Sequence, residues 1–309
     1  MFGSGFGLYG HLPALVELGK KVCIPLRYKP AFDDRIELEI YRHAVSFVDK
    51  ENLSGMDLAV LARRPADNDA LARQAILSRC RQLVVEKPPA RTPQAASLLF
   101  SALRAAGVRH ATPYLFAYCD WARDCKRGVE ARLPSDITFD WHFNSSRAPG
   151  NWKAVQEEGG GLVSFYFIHV LALAEYLLGD FRITDCRSTY ENSRSGLSMT
   201  ASGGPNTLRG IFWAGVGASN FELSVNGLAV FAAETPFGSM PRRGTRDPRV
   251  DLLKRFYATE VFADIPAHHA DERCDRILKA WASLVDRLQQ VNADTKTAAG
   301  TGKTKYLGT

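Results

Sequence analysis

Near its amino terminus the chain reads MFGSGFGLYGHLPAL, with glycines at positions 3, 5, 7 and 10 and Phe6 between them. Glycines at this spacing permit a tight turn and let backbone N–H groups at a helix start approach a pyrophosphate. Two registers are open: Gly5, Gly7 and Gly10 spell G-x-G-x-x-G, and Gly3, Gly5 and Gly7 form the other set. Such a turn normally follows a β-strand, yet only Met1 and Phe2 precede the first glycine. This short lead-in predicts a native reading frame that begins upstream, with several apolar residues before Met1. A site for NAD usually carries Asp or Glu about twenty residues past the glycines, to bind the ribose hydroxyls. Here the segment is CIPLRYK, and Leu26, Arg27, Tyr28 and Lys29 include no acid. Arg27 can pair with a 2′-phosphate and stack on adenine, which tilts the expectation from NAD towards NADP.

Two further stretches hold groups able to move protons or steady charge. QLVVEKPPA brings Glu86, Lys87 and Pro88 to the end of an apolar run, and NWKAVQEEGGGLVSFYFIH leads from Trp152 and Lys153 through three glycines to His169. The elements that would position them are legible in the periodicity. KVCIPL, AVSFV, DLAVLA and QLVV read as short buried strands, and HLPALVELG, ADNDALARQAILSRC and TPQAASLLFSALRAAG read as helices between them. Short strands alternating with helices imply βαβ units and a parallel, doubly wound sheet, with ligand at the strands' carboxyl ends. The glycine turn, the EKP tripeptide and the end of DLAVLA at Arg63, Arg64 and Pro65 all fall on that edge, making Arg63, Pro65 and Glu86 candidate cofactor contacts.

From about residue 113 the texture changes. DITFDWHF, FRITDCRSTY, TLRGIFWAGV, SNFELSVNG and LAVFAAE read as strands of a second, largely antiparallel sheet. LVSFYFIHVLALAEYLLG reads as an apolar helix and ERCDRILKAWASLVDRLQQV as an amphipathic one. The expected division is 1–112 for the cofactor domain, 113–292 for a second α/β domain and 293–309 for a disordered tail. The six cysteines form neither CxxC nor a Cys/His set with zinc spacing, so free thiols in a reducing cytoplasm are expected and no metal site is. No signal peptide or membrane-length apolar run is present. The net charge of +6 has one dense source, PRRGTRDPR near 241–249, expected to be a solvated loop, with anionic substrates as the second reading. Nucleic acid is not expected, because no recognisable binding module accompanies the charge.

The order of these motifs resembles the glucose–fructose oxidoreductase / inositol dehydrogenase / MocA family of NAD(P)-dependent oxidoreductases, over nearly the whole chain to about residue 292. The subtype GxGFGxxxHLPAL favours the register Gly3, Gly5, Gly7, with His11 and Pro13 matching too. The resemblance implies an N-terminal Rossmann domain, a C-terminal α/β domain with an open antiparallel sheet, and a homodimer or homotetramer built on that sheet's exposed face. It implies hydride transfer between a nicotinamide and a hydroxyl or keto carbon of a sugar, cyclitol or sugar nucleotide. Lys87 would hold or polarise the reacting hydroxyl, aimed by a cis Pro88, and His169 would act as general acid or base. Trp152, Lys153, Phe165 and Tyr166 would border the substrate. The family pattern GGG-x-x-x-Asp-x-Gly-x-x-His, with a second Asp three residues later, is broken here by Phe165, Phe167 and Ala172. The two phenylalanines are expected to make the substrate pocket more apolar. These departures and the short lead-in leave a second reading open, a cofactor- or sugar-binding protein with little or no turnover.

Overall fold

The apolar runs at 58–61 and 82–85 become parallel strands buried on both faces. In the computed structural model, which describes residues 1–49, 53, 55–144, 151–191, 194–239, 242, 244–263 and 267–300 (backbone alone at 154, 267–270 and 291–300), β3 (Leu58–Leu61), β4 (Gln82–Val85) and β5 (Arg109–Ala111) form one parallel sheet. β1 (Val22–Pro25) and β2 (Val45–Val48) form a separate parallel pair, with the short helix α2 (Lys29–Asp33) between them in the chain. Alternation sends Ala59, Leu61, Leu83 and Val85 into one apolar cluster and Val60 and Val84 into another. Helices α3 (Pro65–Leu77) and α4 (Pro93–Ala105) cover the first face, while α1 (Leu12–Glu17) and α7 (Arg249–Phe256) supply the second cluster. Thr92 caps α4, its hydroxyl accepting from the Ala95 N–H at 3.1 Å, and Pro93 opens the first turn.

The central strand expected before the glycine turn is reduced to a single residue. Phe2 bridges Leu61 in parallel register: its N–H donates to the Val60 carbonyl at 2.8 Å, and the Ala62 N–H donates to its carbonyl at 2.7 Å. The Met1 ammonium donates to the Cys23 carbonyl of β1 at 2.7 Å, and burial lowers its pKa to about 6. Met1 and Phe2 thus join β1–β2 to β3–β5.

Beyond β5 the chain forms a six-stranded sheet in the order β11 (Leu228–Ala233), β10 (Asn220–Val225), β6 (Asp136–Asn144), β9 (Asn206–Gly215), β8 (Arg194–Gly203) and β7 (Arg182–Glu191). Every neighbouring pair is antiparallel except β6 with β9. The inward residues Ile137, Phe139 and Trp141 of β6 pack on the same cluster as Val170, Leu173 and Leu177 of α6 (Ile168–Leu178), with α5 (Asp120–Ala131) alongside. The opposite face is open, with Arg187 and Thr189 of β7, Arg209 of β9 and Glu222 of β10 exposed on it.

Three expectations are corrected. Helix α8 (Ala267–Gly300) runs past 292, because no glycine or proline interrupts it before Gly300; residues 301–309 of the expected tail lie outside the described residues. The basic cluster is only in part a solvated loop: Arg242 and residues 244–246 are exposed, while Arg246 bonds Glu17 and Asp251 and Arg249 pairs with buried Asp247, because α7 packs these groups against α1. Phe167 does not face a ligand pocket. Two residues beyond Phe165 on a helical turn, it points the other way, is fully buried and packs near Phe139 and Phe212.

Candidate cofactor and active site

A cleft of about 760 Å³ lies where the glycine turn, the end of β4 and the start of the α6 segment meet. Of the expected site residues, Gly3, Gly5, Phe6, Arg27, Arg63, Glu86, Lys87, Trp152, Phe165 and His169 line it. Gly7, Pro65 and Tyr166 are not among the lining residues. Gly7 packs on Ala62, and Pro65 opens α3 against Gly159. Tyr166 is buried in the core between Phe143 and Phe212, because one residue further round the turn from Phe165 is a different face.

The first three glycines hold distinct positions. Gly3 has φ +142°, and a Cβ there would stand 2.3 Å from the Ala62 carbonyl oxygen. Gly5 lines the cleft, and a Cβ on it meets nothing within 4 Å. Gly7 is close enough to β3 that its Cβ would lie 3.4 Å from that of Ala62. These are the three demands a dinucleotide turn makes: a tight turn, an open approach for the pyrophosphate, and close helix–strand packing. Gly10 instead sits under the Phe6 ring, 2.4 Å from where a Cβ would fall.

The turn and the EKP tripeptide are joined by a buried network. His11, fully buried, donates from Nε2 to Glu86 Oε1 at 2.8 Å, since a carboxylate can only accept, and its Nδ1 shares a 2.6 Å hydrogen bond with the Tyr257 hydroxyl. Glu86 is therefore engaged by His11 as well as bordering the cleft. The Lys87–Pro88 peptide is cis, as expected. The Lys87 ammonium donates to the Phe165 carbonyl at 2.9 Å and stands 4.0 Å from the centre of the Phe165 ring. Phe165 replaces the expected carboxylate and meets Trp152 edge-on at 5.4 Å.

His169 is 7% exposed, stacked on Phe116 at 4.9 Å, and its Nδ1 is buried without a hydrogen-bond partner among the described residues. Burial, then the charges of Lys87 and Arg249, hold its pKa well below the ordinary imidazole value, so the ring is neutral at pH 7. Arg249 is the main residue missed in the sequence. It lines the cleft, bonds Asp247 through Nε (2.9 Å) and Nη2 (2.7 Å), and lies 4.5 Å from the Phe6 ring centre. An Asp two residues before an Arg at a helix start was the available signal. Arg27 lines the same cleft beside Tyr28, its Nη2 donating to the hydroxyl at 3.0 Å.

No protein-family model and no curated protein matches the sequence. Solved structures match by fold. GenD2 from gentamicin A biosynthesis, in complex with NAD, has a TM-score of 0.70 at 16% identity, with 95% of this chain and 93% of that one covered. The WlbA (WbpB) dehydrogenase from Thermus thermophilus, in complex with NAD and alpha-ketoglutarate, has a TM-score of 0.63 at 16% identity, over 90% of this chain and 92% of that one. KijD10, a 3-ketoreductase from Actinomadura kijaniata in complex with NADP and TDP-benzene, has a TM-score of 0.63 at 14% identity, over 93% and 94%. The chain has the glucose–fructose oxidoreductase / inositol dehydrogenase / MocA fold. Among the described residues no helix is long and apolar enough to cross a membrane, no group of three His, Cys, Asp or Glu could hold a metal ion, and the six cysteines are free.

Proposed function

We propose that this chain is an NAD(P)-dependent oxidoreductase acting on a hydroxyl or keto carbon of a sugar, cyclitol or sugar nucleotide. The observation that carries this is the convergence of the glycine turn, Lys87 and His169 on one cleft, in a fold whose solved neighbours hold NAD or NADP. The residues present fit such a cofactor: Gly5 leaves its side of the turn open, and Arg27, Tyr28 and Arg63 line the cleft with it. With no acid at 26–29, Arg27 is the group for a 2′-phosphate, so NADP is preferred to NAD. When bound, the nicotinamide supplies the hydride donor or acceptor.

The chain's own residues handle the proton and the oxygen. Lys87, steadied by the Phe165 carbonyl, presents its ammonium to the substrate oxygen and stabilises negative charge developing there. Neutral His169 accepts the hydroxyl proton during oxidation. In ketone reduction the same two groups act in reverse, the proton returning to the oxygen through His169 while the Lys87 ammonium stays beside it. A homodimer or homotetramer through the open sheet face, and a reducing cytoplasmic setting for the free cysteines, belong to the same reading.

Titration with NADPH and NADH, followed by tryptophan fluorescence quenching, tests the cofactor; reduced-nicotinamide absorbance over a panel of sugars, cyclitols and sugar nucleotides tests turnover. Quenching with tighter NADPH and a cofactor-coupled absorbance change are expected. Absence of binding by either dinucleotide would overturn the reading.

A further inference from the structure

The glycine turn and the EKP tripeptide meet through one imidazole, and a tyrosine from the far end of the chain stands behind it. His11 ends the π-helical turn Gly7–His11, and Tyr257 begins another, Tyr257–Val261, directly after α7. Single π turns of this kind recur at functional sites. Here they bring two fully buried polar side chains together across 246 positions of sequence. The Tyr257 hydroxyl has His11 Nδ1 as its hydrogen-bond partner among the described residues, at 2.6 Å.

Donor and acceptor roles follow from burial. The Glu86 carboxylate can only accept, so the proton of His11 sits on Nε2. Were Nδ1 protonated as well, the Tyr257 hydroxyl would accept there and its own proton would be stranded in the core. Burial, then the charge of Glu86, hold the Tyr257 phenol well above its ordinary pKa, so it keeps that proton and donates it to Nδ1. The three groups form a one-way chain, Tyr257 to His11 to Glu86, and the chain ends at the cleft. His11 takes one of the roughly four acceptor positions of the carboxylate, and Glu86 borders the cleft with its side chain 11% exposed. Steadied from behind by a donor, the carboxylate meets a ligand as an acceptor. It suits a hydroxyl rather than a phosphate or a carbonyl oxygen. Glu86 follows the carboxyl end of β4, where a dinucleotide lies in a doubly wound sheet. Its neighbour Lys87 addresses the reacting oxygen in the reading above, so the cofactor hydroxyls nearest to Glu86 are those of the ribose that carries the nicotinamide.

We propose that Tyr257 and His11 are positioning residues that fix the Glu86 carboxylate as the acceptor for a hydroxyl of the nicotinamide-bearing ribose. This rests on the oxidoreductase reading. Tyr257 acts through His11 and His11 through Glu86, which alone of the three touches the ligand.

The test is calorimetric titration with a reduced dinucleotide and with its adenosine half, NADPH beside adenosine 2′,5′-bisphosphate or NADH beside ADP. Glu86→Gln should weaken the dinucleotide about ten- to hundredfold, the range of a hydrogen bond to a charged group. The adenosine half, which lacks the nicotinamide-bearing ribose, should change by less than about threefold. Tyr257→Phe removes a single oxygen atom and should weaken the dinucleotide about three- to tenfold, again sparing the half. Added to Glu86→Gln, it should cost less than about twofold more, because the group it positions is gone. Where Tyr257→Phe does not fold, His11→Gln, whose amide can still donate towards Glu86, takes its place in the cycle. Unchanged dinucleotide affinity in Glu86→Gln, equal losses for the dinucleotide and its adenosine half, or full additivity of the two changes would overturn the proposal. Failure of the parent protein to bind either dinucleotide would sink the oxidoreductase reading, and this one with it; binding with any of those three outcomes sinks this one alone.

Discussion

In the proposed reaction Lys87 steadies the oxygen and His169 moves the proton, because their surroundings differ. Lys87 is half-buried and bonded to a carbonyl, while His169 lies in the aromatic core beside Phe116 under two positive charges. Lys87→Met should therefore lower kcat by about 10²–10⁴-fold while NADPH quenching persists, as steady-state kinetics beside the fluorescence titration would show. The depressed pKa of His169 also fixes a pH dependence. A base that stays neutral produces no acid-side fall in kcat/KM for hydroxyl oxidation near the ordinary imidazole value of about 6.5. A pH–rate profile with a limb centred there would place the base elsewhere. The linkage has the same origin: the unfolded chain takes up this proton first, so His169's contribution to stability is full above about 6.5 and declines as the pH falls below it.

The glycine turn is where element geometry meets ligand binding, and two of its glycines separate those roles. Gly3→Ala places a Cβ against the Ala62 carbonyl at a φ that L residues rarely adopt, so the turn itself must shift. Thermal unfolding should show a Tm drop of roughly 5 °C, with NADPH affinity falling alongside it. Gly5→Ala meets no protein atom but intrudes on the cleft. Its Tm should stay within about 1 °C of the parent, while the NADPH Kd rises roughly tenfold. Equal Tm losses in the two variants would show that both glycines serve the fold alone. The turn was legible in the sequence because glycine spacing is a local signal. Its presentation by a one-residue bridge between Val60 and Ala62 was not, since that pairing is made by residues some sixty positions away.

At the scale of the molecule, the C-terminal third closes back on the two thirds before it. Buried Glu175 of α6 bonds Arg273 at 3.1 Å and Arg276 at 2.7 Å on α8, and Arg273 also reaches Glu260, which accepts from the Tyr118 hydroxyl. Removing one charge from such a buried set leaves guanidinium groups desolvated without compensation. Glu175→Gln should cost about 3 kcal/mol in denaturant unfolding, with little change at higher salt because the pair is shielded from solvent. A loss below about 0.5 kcal/mol would mean that the network is worth no more than a surface pair. The same return of the chain brings Tyr257 to His11 and Arg249 to the cleft.

Periodicity and turn chemistry determined the parallel strands, the helices between them and the glycine turn, because each is written in neighbouring positions, whereas Lys87 and His169 were singled out through the family resemblance. DLAVLA and QLVV could be read as buried strands for that reason, and the EKP and GGG-to-His stretches could be placed in one register. The tertiary structure decided which faces of those elements look inward. It turned Phe165 to the cleft and Phe167 and Tyr166 to the core, carried Arg249 from a basic stretch into the site, and brought Lys87 and Lys153 over one ring. A side chain's direction on a turn depends on what packs against it, and here the packing partners are distant in sequence.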